Sequence, residues 1–85
     1  MQKQYENDKI VQEVIDCIKA IRKSKNITLE AFYFDTGIHI ARIEQGKTNI
    51  TVKTLSTICD YLEISLVDFF KKAEEIKADK LNNQN

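Results

Sequence analysis

The sequence predicts an all-α domain of five helices. Three observations carry that expectation. The 85 residues contain two glycines and no proline, whereas a small all-β domain draws heavily on both for its tight turns. Apolar residues recur at spacings of three and four along most of the chain, the signature of a buried helix face. Thr, Ser, Asp and Asn stand where those periodic stretches begin, as helix N-caps do.

The length fits one domain. A domain of this size buries roughly 60% of its unfolded-chain surface, so a partner chain would add useful stability. At 42% hydrophobic residues the chain is globular rather than disordered. No apolar run approaches the ~18 residues of a membrane span, and the polar start MQKQYENDK is not that of a signal peptide. Cys17 and Cys59 occupy apolar positions of helical patterns, with no CxxC and no neighbouring His. They read as reduced core thiols of a cytoplasmic protein rather than as a disulfide or a metal site. No metal, cofactor or small-molecule ligand is called for.

Taken in order, Ile10, Val11, Val14, Ile15, Ile18 and Ile21 form the face of a first helix over about 8–25. Asn7 or Asp8 caps its start. Lys19, Arg22, Lys23 and Lys25 collect in its last turns, where the macrodipole favours cations, and Asn26 ends it. Thr28 caps a short second helix from Leu29 to about Phe34. A third helix holds Ile40 and Ile43, takes Asp35 or Thr36 as its N-cap, and ends at Gly46 in the C′ position. Ile50 and Val52 alternate like a strand, but Val52, Leu55, Ile58, Cys59 and Leu62 specify a fourth helix capped by Thr51. Ser65, with Asp68 three residues later, resembles a capping box. It opens a fifth helix with Leu66, Phe69, Phe70, Ala73 and Ile76 inward. The seam continues to Leu81, either as a dimer contact or as a solvated extension. The expected organisation is a flexible N-terminus over 1–7, one domain over 8–72, and a C-terminal helical extension with a disordered tail over 73–85.

Phe32–Ile40 reads FYFDTGIHI, and two functions compete for it. Alternating apolar residues around a turn suggest a β-hairpin, and Asp-Thr-Gly carries the catalytic carboxylate of aspartic proteases. The helical periodicity on both sides rejects that reading and makes Asp-Thr-Gly a turn and a cap between two helices. His39, the single histidine, has no carboxylate or serine partner in its sequence context for acid–base work. The chain is not expected to be an enzyme.

From Ile18 to Phe70 the chain resembles the helix-turn-helix domain of phage-repressor and Cro-like (XRE-type) regulators. The family pattern I-x-x-I-E-x-G-K is met by Ile40, Ile43, Glu44, Gly46 and Lys47. The following T-L-x-x-I-x-x-x-L is met by Thr54, Leu55, Ile58 and Leu62, and S-L-x-x-F-F by Ser65, Leu66, Phe69 and Phe70. Arg22 stands at the family's helix-one arginine. There are two departures. The turn before I-x-x-I-E is about three residues shorter than usual in the family, and Leu29 stands where a Gln often touches a DNA phosphate. The resemblance implies a lambda-repressor-like fold, a recognition helix at about 36–45, and a structural ion pair between Arg22 and Glu44. It also implies a homodimer on a two-fold operator in double-stranded DNA. Restriction-modification controllers and antitoxin-type repressors are special cases of that class. The competing reading is an adaptor that keeps the fold without binding DNA.

Net charge is zero, yet charge is segregated. Residues 17–53 hold seven Lys and Arg against three Asp and Glu, while each flank is negative. DNA binding needs such local positive charge, because phosphate neutralisation releases counterions. Arg42 is the expected base reader, since its fork matches guanine O6 and N7. Ile38 would meet a thymine methyl or join the core. Gly37 would allow close backbone approach, and His39 would contact the duplex surface. Thr28, Thr36, Lys47, Thr48 and Asn49 are the remaining expected contacts, with Lys47, Thr48 and Asn49 suited to phosphate oxygens.

Overall fold

Five helices follow one another: α1 (Asp8–Ser24), α2 (Leu29–Thr36), α3 (Ile40–Glu44), α4 (Val52–Tyr61) and α5 (Leu66–Asn82). The computed structural model describes residues 8–46 and 48–82. The expected features at Asn7, at Lys47 and in the last three residues lie outside the described residues, as does the side chain of Asp8.

The core is built from every helix. α1 contributes Val14, Ile15, Cys17, Ile18 and Ile21, and α2 contributes Phe32. Ile40 and Ile43 come from α3, Leu55, Ile58 and Cys59 from α4, Leu62 from its C-cap, and Phe69 and Ala73 from α5. Both cysteines are buried and unpaired, and the Cys17 thiol donates to the Phe69 carbonyl at 3.5 Å. Burial, reinforced by Cys59, pushes the Cys17 thiol up to about 11. α5 lies along α1 and runs through position 73 without a break. Lys77 meets Glu13 at 3.4 Å and Lys80 meets Asp16 at 2.6 Å. Partial burial acts to raise the Asp16 pKa, but the hydrogen bonds from Lys80 and Gln12 outweigh it, and the net shift is downward.

The caps follow local chemistry. Asn26 ends α1 at φ 58°, a left-handed conformation that Asn tolerates better than most residues. The hydroxyls of Thr28, Thr51 and Ser65 accept from the N–H groups of Ala31, Thr54 and Asp68, each at 3.0 Å. Each satisfies a donor that has no partner inside its own helix. Gly46 follows α3 at φ 74°, the C′ conformation that glycine adopts without a Cβ penalty.

Several expectations are corrected. Neither Asp35 nor Thr36 caps the third helix. Both belong to α2, which runs on to Thr36 instead of ending near Phe34. The Thr36 hydroxyl folds back and donates to the Phe32 carbonyl at 2.7 Å. Gly37 then stops it at φ 74°. The recognition helix expected over about 36–45 is therefore only Ile40–Glu44, and His39 flanks it without a side-chain cap. Ile10 and Val52, expected on buried faces, are both exposed, and they line one apolar depression between the starts of α1 and α4. On α5 the buried line runs through Phe69 and Ala73, four residues apart, which turns Leu66 and Phe70 to its flank.

Candidate nucleic-acid interface

α2, the three residues 37–39 and α3 form a helix-turn-helix corner. Its elements are too short to hold themselves, since isolated helices below about 12–15 residues are marginal in water. Directed hydrogen bonds supply the missing definition. Arg22, 7% exposed, reaches from α1 and grips Glu44 at the end of α3. Nε donates to Oε2 at 2.7 Å and Nη2 to Oε1 at 3.0 Å, a fork-to-carboxylate pair. Nη1 donates to the Ile27 carbonyl at 2.8 Å. One arginine thus fixes both the entry to α2 and the end of α3. The pair also draws the Glu44 carboxylate inward, leaving its side chain 8% exposed.

A second brace comes from α4. The Tyr61 hydroxyl donates to Asp35 Oδ2 at 2.6 Å, and its ring meets Phe32 edge-on at 4.7 Å. The hydrogen bond to Asp35 is the main cause of a raised Tyr61 pKa. Asp35 is therefore a hydrogen-bond acceptor that pins the end of α2, and not the cap of α3. Within the turn, the Thr36 hydroxyl also accepts the Ile38 N–H at 3.0 Å.

The expected contact residues are placed as follows. Ile38, His39, Arg42, Thr48 and Asn49 line one shallow concavity between α3 and the start of α4, with Thr54 on its wall. His39, Arg42, Thr48 and Asn49 are exposed, and Ile38 is half-buried against the core. Among the described residues Arg42 has no ion-pair partner. Thr36 ends α2 and Gly37 follows it, neither lining this concavity, and Thr28 sits at the other end of α2 with its hydroxyl engaged as a cap. Among the described residues no group of His, Cys, Asp and Glu is arranged to hold a metal ion, and no helix is long and apolar enough to cross a membrane.

Three residues of the corner escaped the sequence reading. Tyr33 stacks on His39, ring centroids 4.4 Å apart and planes at 30°. Phe34 is 88% exposed. Tyr61, on α4, braces the corner from outside it. The run Phe-Tyr-Phe gave the signal for the first two, because a single short helix cannot bury three consecutive aromatic side chains.

The helix-turn-helix family model matches residues 18–69. Among solved structures, the chain is similar to the restriction-modification controller protein C.Esp1396I. In the tetramer bound to its natural 35 base-pair operator, that protein is 32% identical over 78% of this chain and 91% of its own, with a TM-score of 0.71. The wild-type controller by itself has the same identity and coverage and a TM-score of 0.72. A point mutant of it is 28% identical over 89% of this chain and 95% of its own, with a TM-score of 0.72. No curated protein matches the chain significantly. The chain belongs to the helix-turn-helix family, in its phage-repressor-like (XRE-type) branch related to the restriction-modification controllers.

Proposed function

We propose that this protein is a cytoplasmic, controller-type transcriptional regulator that binds operator DNA as a homodimer. The observation that carries the reading is its match, over most of both chains, to a controller solved on its operator. The concavity at α3 supports it. In helix-turn-helix proteins the second helix of the motif enters the major groove and reads bases from its N-terminal part. Here the turn entering α3 and α3 itself present Ile38, His39 and Arg42, with Glu44 turned inward by Arg22. Arg42 is assigned to base reading. Thr48 and Asn49, with Lys47 beside them in the sequence, are assigned to phosphates. Gly37, Thr36 and Thr28 serve the backbone path around them.

The dimer contact is assigned to the flank of α5. Leu66, Val67 and Phe70 are 37%, 64% and 40% exposed and line one apolar depression with Lys71 and Glu74. Burying such a stripe between two copies is how a small domain gains the apolar area it lacks alone.

Selection of bound sequences from a random duplex pool, followed by a salt titration, tests the function. The expected result is a two-fold symmetric consensus and an affinity that falls steeply as salt rises. Failure to retain any duplex at low salt would favour the adaptor reading. Val67→Glu, measured by light scattering, should give a folded monomer that binds the operator more weakly.

A further inference from the structure

α3 enters the interface without a cap. His39 precedes it at φ −77° and ψ 73°, and its side chain makes no capping bond. The ring nevertheless has a defined seat. Tyr33 lies on α2, an element anchored by the fully buried Phe32, the Thr28 cap and the Tyr61–Asp35 bond. Its ring covers one face of the imidazole at 4.4 Å. Stacking covers a face and leaves the edge free, and both imidazole nitrogens are on the edge. Among the described residues neither nitrogen has a hydrogen-bond partner, and the ring borders the concavity that holds Arg42.

We propose that Tyr33 is a specificity-positioning residue: by stacking on His39 it holds the imidazole edge toward a base, so that His39 and Arg42 read neighbouring positions of the operator. The inference rests on the DNA-binding reading above. A side chain that reads a base must keep its orientation before the duplex arrives, because freedom frozen on binding weakens the contact. Tyr33 supplies that orientation from α2, the helix before His39. It need not touch DNA itself. The imidazole offers one N–H donor and one acceptor when neutral, which suits a purine N7 or a base carbonyl in the major groove.

The test compares sequences selected from a random duplex pool by the wild type, His39→Ala, Tyr33→Ala, Tyr33→Phe and the double alanine variant. Each is checked for folding by circular dichroism. Tyr33 is 48% exposed, so its loss leaves the core intact, and Tyr33→Leu serves as a variant that keeps apolar bulk without an aromatic plane. His39→Ala and Tyr33→Ala should relax the same base position, with about a tenfold loss of discrimination there and an unchanged salt slope. Tyr33→Leu should do the same, Tyr33→Phe should retain the wild-type consensus, and the double variant should be no worse than His39→Ala alone. A selective wild type whose consensus survives both Tyr33→Ala and Tyr33→Leu overturns the proposal and leaves DNA binding standing. A wild type that retains no duplex at all overturns both.

Discussion

The long helices and the short ones are held by different physics. α1 and α5 span 17 residues each, and the centre of their contact is apolar, with Ile15, Cys17, Ile18 and Phe69 all at 2% exposure or less and the Lys77–Glu13 and Lys80–Asp16 pairs at its more exposed edge. α2 and α3 span eight and five residues. They contribute three buried apolar side chains, Phe32, Ile40 and Ile43, and are otherwise fixed by hydrogen bonds from Arg22, Tyr61 and Thr36. Apolar burial is non-directional and grows with area, so it suits a scaffold. An interface that must present particular side chains at particular angles needs directed bonds, and this chain places them at its corner.

The comparison breaks most sharply at the Arg22–Glu44 pair. Removing one partner leaves the other buried and unpaired, which costs about 3–5 kcal/mol in such pairs. Glu44→Ala is expected at the lower end of that range. Arg22→Ala is expected at the upper end, because it also leaves the Ile27 carbonyl without its donor. The double variant should lose clearly less than the sum. Urea melts of the four proteins measure this, and additive losses would show that the pair does not couple. Phe32→Ala, a cavity at the root of the same corner, should cost a comparable 3–5 kcal/mol.

The next effect separates function from stability. Arg42 is exposed and unpaired among the described residues, so Arg42→Ala should leave the melt within about 0.5 kcal/mol. It should weaken the preferred duplex by about 1–3 kcal/mol and relax one base position. Lys47→Ala should weaken all duplexes alike and lower the salt slope by about one unit. An unchanged consensus for Arg42→Ala would move Arg42 to the phosphates.

The reach of the sequence follows the same division. Helix number, the three hydroxyl caps and most of the apolar core were legible, because period and capping chemistry are local. The Arg22–Glu44 pair entered through resemblance, and its geometry is now visible. The stop of α2 was misplaced. Asp-Thr-Gly offers a good N-cap to the helix after it and a good C-terminal stop to the helix before it. In the fold Gly37 stops the earlier helix at φ 74°, and Tyr61, 26 residues away, holds Asp35 on it. The Tyr33–His39 stack depends equally on the angle at which α2 meets α3, which no local pattern encodes.

Alkaline pH acts on both regions in the same direction. Cys17 in the scaffold is raised from 9.0 to about 11, chiefly by burial, and Tyr61 in the corner is raised by its bond to Asp35. In each case the folded state holds the proton more tightly than the unfolded chain. The stabilisation is therefore complete below the unfolded pKa and is lost as pH rises through the folded one. Stability should decline from about pH 9 upward. Native thiols should resist alkylation at pH 8 and react on unfolding. Asp35→Ala should bring the Tyr61 titration, followed by ultraviolet absorbance, back toward its ordinary value. A Tyr61 midpoint that does not move in Asp35→Ala would remove the brace from the corner.

The smallest expected effect lies two residues from one of the largest. Phe32 is fully buried, whereas Phe34 is 88% exposed, because two steps along a helix turn a side chain by about 200°. If the corner is held by Phe32 and directed bonds, Phe34 contributes almost nothing to the free monomer. Phe34→Ser should then change the urea midpoint by no more than about 0.5 kcal/mol, the range of surface substitutions away from special features. The same variant should keep the wild-type consensus, since Phe34 is absent from the concavity that holds Arg42 and His39. A loss of stability approaching that of Phe32→Ala would mean that Phe34 is covered in solution. A loss that grows with protein concentration would place that cover in a second copy of the chain, and would extend the dimer contact from α5 to α2.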